Sequence, residues 1–229
     1  LAWQGKHEEI QHGVTIVATG GEEYKPDEYL YGQHPRVMTQ REFESLLIND
    51  PARAATFKKV TMIQCVGSRE PDNLYCSRIC CTSAMKNSIK LKEVNPGAQV
   101  SVLYRDIRTF GQREMAYQEA RKRGVRFFRY EWERKPEVKA DGDRLNISMF
   151  DANLERQVDM DTDLLVLSAA VRPRAGCKQL SEVLRLFADL CERRGEHELA
   201  EQYTAQRDEL HKNIEQHAWD GEWYARAFF

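Results

Sequence analysis

Cys65, Cys76, Cys80 and Cys81 fall within seventeen positions of this 229-residue chain, with the spacing C-x10-C-x3-C-C. They lie in IQCVGSREPDNLYCSRICCTSAMKNSIKLKE, where an apolar run leads into Cys65 and the other three sulfurs crowd the start of a helix-like segment. Such a stretch must bring a strand end, a long loop and a helix N-terminus together. Unpaired N–H groups and the helix dipole at that terminus favour anionic sulfur. Adjacent cysteines such as Cys80 and Cys81 bond to each other only with strain. The opening residues, LAWQGKHEEIQHG, are polar and do not read as a secretory signal. The expectation is therefore a cytoplasmic, reducing setting in which these residues are not disulfides.

A 4Fe–4S cluster takes four thiolates and is itself net negative, and the ten-residue loop lets Cys65 swing across to face the other three. Tetrahedral zinc also accepts four cysteines, usually from two separated C-x2–4-C knuckles, a spacing absent here. Buried or redox-active thiols without metal are the other alternative. Cys191 lies on an apolar helical stripe and reads as a core residue. Cys177 is assigned no role.

Around the cysteines the pattern alternates between strand and helix. Val14–Ala18, Lys59–Gln64, Val100–Tyr104, Val125–Tyr130 and Asp163–Val171 read as strands. Thr39–Leu47 reads as a helix with a capping box from Thr39 to Glu42. Further helices are expected over 78–93, closed by Asn95-Pro96-Gly97, and over 112–123, closed by Gly124. Leu145, Ile147 and Met149 alternate with polar residues, as in a half-exposed antiparallel strand. The fold class expected is α/β, a Rossmann-like parallel sheet with right-handed crossovers.

After Pro173 the pattern changes. Leu180, Val183, Leu184, Phe187, Leu190 and Cys191 keep a 3.6-residue period, Gly195 interrupts it, and Leu199, Tyr203, Leu210 and Ile214 resume it. This reads as a C-terminal helical hairpin with no evident partner. The expected division is 1–57, 58–162 with the cysteine loop, a return strand over 163–176, and the hairpin tail over 177–229.

A net charge of −2, with Lys and Arg spread along the chain, leaves no electrostatic footprint for nucleic acid. No apolar run approaches the ~18–20 residues that cross a bilayer. The histidines are scattered and polar in context, so surface roles are expected.

Taken together, GVTIVATGG, IQCVGSR, YCSRICC and YRDIRTFG resemble the flavin-and-iron–sulfur component of heterodisulfide reductase, its A-type polypeptide, over about residues 13–184. The resemblance implies a thioredoxin-reductase-type flavoprotein in which Cys65, Cys76, Cys80 and Cys81 ligate a 4Fe–4S cluster near FAD. It implies that Ala18-Thr19-Gly20 backs onto the flavin. The G-x-G-x-x-G fingerprint that seats an FAD pyrophosphate occurs nowhere in the chain. The implied partners are iron–sulfur electron-transfer subunits of a larger complex, or a second copy of the chain in a homodimer.

From about residue 186 the sequence resembles instead a glycoside phosphorylase of the cellobiose phosphorylase type, most distinctively at Trp219-Asp220-Gly221-Glu222-Trp223-Tyr224. That resemblance implies a position near the donor sugar for Arg226. A surface charge is the plainer reading of Arg226, and the tail is assigned no catalysis. Two resemblances meeting near residue 185 imply a fusion of fragments. A chain that opens without Met and stops at YARAFF is expected to be cut from larger architectures at both ends.

Overall fold

The computed structural model describes residues 2–3, 6–7, 20–71, 73–174 and 176–216. The strand expected over 14–18, with Ala18 and Thr19 at its end, and the aromatic stretch from Trp219 to Arg226 lie outside the described residues.

Two short strands, β1 (Ala2–Trp3) and β2 (Lys6–His7), pair antiparallel. β3 (Gly21–Glu23) and β4 (Val37–Thr39) are separated by turns. The helix α1 (Gln40–Asn49) carries the expected capping box: Thr39 Oγ1 accepts from Glu42 N–H, and the Glu42 carboxylate accepts from Thr39 N–H at 2.7 Å. Asp50 then caps α2 (Pro51–Ala54), whose first residue needs no N–H partner because it is proline.

β5 (Lys59–Val66), α3 (Cys80–Val94), β6 (Gln99–Tyr104), α4 (Glu114–Lys122) and β7 (Arg126–Arg129) follow the expected alternation. α3 starts two residues later than expected, because Arg78 adopts a left-handed φ of 60° that a right-handed helix excludes. Its end is where Asn95-Pro96-Gly97 predicts. Asn95 ties that end to the α2–β5 turn by donating to Ala55 O and Phe57 O at 2.9 and 3.1 Å.

The chain then forms an antiparallel meander of β8 (Glu137–Asp141), β9 (Arg144–Asp151) and β10 (Arg156–Thr162). It returns through β11 (Leu164–Ala169) and β12 (Val171–Pro173). β11 inserts between β4 and β5, giving a five-stranded sheet of order β4-β11-β5-β6-β7 with every neighbouring pair parallel. β12 pairs antiparallel with β3.

Strand alternation sends Val60, Met62, Val100, Val102, Leu164 and Val166 into a core with Phe43, Leu47, Met85 and Leu91 of the helices. The opposite set, Ile63, Leu103, Leu165 and Leu167, packs on Leu145, Ile147 and Met149 of the meander. Both sheet faces are thus covered, which is why these strands read as continuous apolar runs.

The tail is the expected hairpin, α5 (Gly176–Arg193) and α6 (His197–Gln216). Gly195 turns between them with φ 76°. Cys191 is buried between the helices, as its place on the apolar stripe predicts. Phe187 and Tyr203 meet across them at 5.8 Å between ring centroids.

Candidate metal centre

In α/β sheets, ligands gather at the carboxyl ends of the strands. Cys65 stands at that end of β5, and Cys80 and Cys81 open α3, which follows it. The pairing of β5 with β11 runs Leu167 to Ile63 and then Ala169 to Val66. Gln64 and Cys65 therefore face the single residue Ser168 in a β-bulge, and Cys65 takes the left-handed conformation with φ 64°. Arg69 and Arg78 are left-handed too. Each such non-glycine conformation costs on the order of 1 kcal/mol or more and persists where the surroundings over-determine it.

Those surroundings are dense. Arg105 at the end of β6 donates to Arg69 O at 2.7 Å, Ser68 O at 2.5 Å and Cys65 O at 3.4 Å, clamping the loop through three carbonyls. Asn73 donates to Gly67 O at 2.7 Å. The return strand fastens the far side of the loop: Tyr75 Oη donates to Val171 O at 2.8 Å, and Val171 N–H donates to Ser77 Oγ at 2.9 Å. At Gly67, with φ 69°, a Cβ would sit 2.3 Å from the Tyr24 ring, so only glycine fits beneath that aromatic face.

Each of the four sulfurs has a polar neighbour. Arg69 Nη1 lies 3.9 Å from Cys65 Sγ, and Arg78 N–H donates to Cys76 Sγ at 3.3 Å. Cys80 Sγ lies 3.5 Å from Ala169 O, and Cys81 Sγ lies 4.0 Å from Asp106 O. Arg69 and Arg108 pair with the Asp106 carboxylate, whose pKa they hold below its ordinary value against the opposing effect of burial.

Burial pushes the Cys65 thiol up, against the guanidiniums of Arg105 and Arg69. Burial also drives Cys80 well up, reinforced by the charges of Cys65, Cys81 and Cys76. Cys81 is pushed up to about 12, again by burial first, with Cys65 and Cys76 adding to it. The four sulfurs thus lie within electrostatic reach of one another, and without added positive charge the buried ones remain protonated.

A bound cationic core lifts that restriction, since coordinated thiols are deprotonated outright. The donor set is all sulfur, with Arg69 beside Cys65 Sγ and Arg105 on the Cys65 carbonyl, which suits a net-anionic iron–sulfur group. Among the described residues, no three Cys, His, Asp or Glu side chains close on a single point as a lone metal ion requires. All four cysteines stand as free thiols. The sequence pattern brought the four cysteines together but gave no role to Arg69, Arg105, Arg108 and Asp106. Their signal was the charged run Tyr104-Arg105-Asp106-Ile107-Arg108 directly after a buried strand.

Of the residues expected near a flavin, only Gly20 is described. It is exposed, with φ 64° and open space beside it, and it leads into β3. No helix among the described residues is long and apolar enough to cross a membrane.

Comparison with known proteins places two relationships on this chain. The A-type polypeptide of the ferredoxin:CoB-CoM heterodisulfide reductase of Methanosarcina acetivorans is 33% identical over 224 residues, covering 79% of this chain and 28% of that protein. The corresponding iron-sulfur polypeptide of the CoB–CoM heterodisulfide reductase of Methanocaldococcus jannaschii is 35% identical over 210 residues, covering 81% of this chain and 31% of that one. The chain spans about three-tenths of the length of these curated relatives. The family model for the glycosyl hydrolase 94 superfamily, catalytic domain, matches residues 176–229. One chain thus joins a segment related to a reductase component with a segment matched by a glycosidase superfamily, as the two sequence resemblances predicted. The second begins at residue 176, somewhat before the expected junction. Among solved structures, the thioredoxin reductase of Lactococcus lactis matches with a TM-score of 0.43 at 17% identity, covering 68% of this chain and 44% of that one. The α/β assignment rests on the strand order, not on that loose match.

Proposed function

We propose that this chain, a relative of the A-type heterodisulfide reductase polypeptide over most of its length, holds a 4Fe–4S cluster through Cys65, Cys76, Cys80 and Cys81 and serves in electron transfer. The observation that carries the reading is the placing of Cys65 at the β5 bulge and of Cys80 and Cys81 at the start of α3, bordering one clamped loop that holds Cys76, with Arg69 beside Cys65 Sγ. When bound, the cluster supplies a one-electron relay. The protein's own part is to fix the loop through Arg105, to balance charge with Arg69 and Arg108, and to exclude water by burying Cys65 and Cys81. Acid–base and nucleophilic catalysis have no part in this reading.

The reading extends to the neighbourhood of the site. FAD is the proposed electron partner, approached from the turn at Ala18-Thr19-Gly20. Because the chain spans only part of its relatives, any flavin seat would be completed by residues outside it. The proposed protein partners are iron–sulfur subunits of a complex, consistent with relatives named as subunits, and the proposed setting is cytoplasmic. The proposed units are 1–57, 58–162, 163–176 and 177–229, the second carrying the cluster. The tail has no assigned catalysis: its described part is one helical hairpin, and glycoside cleavage needs a carboxylic general acid in a cleft.

The test is anaerobic purification followed by an absorption spectrum and iron, sulfide and zinc analysis. A brown protein with about four irons and four sulfides per chain is expected. A colourless protein holding one zinc, or no metal after reconstitution, would overturn the reading.

A further inference from the structure

Gln64 is fully buried, yet neither its Nε2 nor its Oε1 has a hydrogen-bond partner in the protein. A buried primary amide left unpaired costs roughly 1–3 kcal/mol, so its retention in a packed core calls for a reason. Gln64 does not stand alone. Thr82 Oγ1 and Arg105 Nε are also buried without partners.

All three border the cysteines. Gln64 precedes Cys65 in the bulge, Thr82 follows Cys81 in the first turn of α3, and Arg105 grips the Cys65 carbonyl.

The packing indicates where Gln64 points. Met62, two residues earlier on β5, touches Ser88 of α3 through its sulfur at 3.4 Å. Two residues along a strand advance about 6.6 Å on the same face. One turn back along a helix is about 5.4 Å. Gln64 therefore faces the turn of α3 that holds Cys81 and Ala84.

We infer that Gln64 is a hydrogen-bond donor to the sulfur-ligated group held by Cys65, Cys76, Cys80 and Cys81, and that its amide sets the reduction potential of that group. The inference rests on the cluster reading above. Thr82 and Arg105 supply two further donors to the same anionic sulfur shell. Reduction adds negative charge to the group, and a donor aimed at its sulfurs stabilises the reduced form more than the oxidised one. Gln64 acts through hydrogen bonding and is not a ligand, so its loss leaves iron binding intact.

The experiment uses the full chain, reconstituted anaerobically with iron and sulfide, as wild type and as Gln64→Met, which keeps the side-chain length and removes the donor. Iron content and midpoint potential are read for both. The expected result is equal iron content with a more negative potential in the variant. A loss of about tenfold in the reduction equilibrium constant is expected, which is 59 mV for a one-electron couple.

Equal iron content with an unchanged potential overturns the inference and leaves the cluster reading standing. A wild type that takes up no iron overturns the cluster reading itself. Should Gln64→Met fail to fold, wild-type protein labelled with 15N in its glutamine side chains decides the matter. Pulsed electron paramagnetic resonance of the reduced group should show a 15N coupling, and its absence overturns the inference.

Discussion

The parallel-sheet region and the C-terminal hairpin are built by the same periodic rules but end in opposite states. In the sheet region, helices cover one face and the meander the other, so Val60, Met62, Leu103, Leu164 and Leu165 are almost fully buried. In the hairpin, Leu186 is 60% exposed and Phe187 49%, with Val183 and Leu190 beside them on the same stripe. The first region satisfies its own sequence pattern. The second shows an apolar face whose partner is not among the described residues. Amphipathicity specifies that a face is to be buried, and tertiary context decides whether it is.

That contrast predicts a wide spread in the cost of equivalent substitutions. Leu165→Ala empties a site enclosed on both sides and should cost about 2–5 kcal/mol in chemical denaturation. Leu186→Ala removes the same atoms from an exposed position and should stay within about 0.5 kcal/mol. Similar losses at the two positions would mean that a partner already covers the hairpin face in solution.

Gly67→Ala should be the next most damaging, at roughly 1–3 kcal/mol, because the new Cβ meets the Tyr24 ring at a left-handed φ. Thermal unfolding would check it, and Tyr24→Ala in the same chain should recover the steric part. Thr39→Ala removes the cap of α1 and should cost about 1 kcal/mol by the same measurement.

The smallest effect concerns the edge of the meander. Lys59 donates to Asp161 at 2.7 Å and, through that hydrogen bond first, holds its carboxyl below the usual 3.8. A depressed folded-state pKa gives stability that is present above pH 3.8 and lost as pH falls through the folded value. Both side chains are more than a third exposed, so the contribution should be under about 1 kcal/mol. In acid titration Lys59→Met should lose that increment of stability at neutral pH and converge with the wild type at low pH.

Much of this was readable in advance, for identifiable reasons. β5, β6 and β11 are apolar on both faces, so their burial and parallel pairing followed from the runs themselves. The box from Thr39 to Glu42 marked the start of α1, which runs two residues past the expected end at Leu47. The cysteine spacing put Cys65 at a strand end and Cys80 and Cys81 at a helix start. What escaped the sequence depends on distant pairing. The edge strand β4 is only three residues long and is a strand because β11 lies beside it. β8 and β10 are mostly polar, and what they cover is visible only once β9 has packed. The bulge at Gln64 and Cys65 exists only in register with Ser168. Arg105 acts on carbonyls 36 to 40 residues earlier, a relation no local pattern carries.

Each of the two regions holds a cysteine shielded from solvent in part or in full, and those cysteines give the most direct test of the central claim. Cys80 opens α3 and is one of the four proposed ligands, while Cys191 packs between the hairpin helices. The measurement is the iron content of the anaerobically reconstituted wild type, Cys80→Ala and Cys191→Ala. The prediction is about four irons per chain in the wild type and in Cys191→Ala, with the cluster lost in Cys80→Ala. Full iron retention in Cys80→Ala, or loss confined to Cys191→Ala, would contradict the assignment of Cys65, Cys76, Cys80 and Cys81 as the ligands.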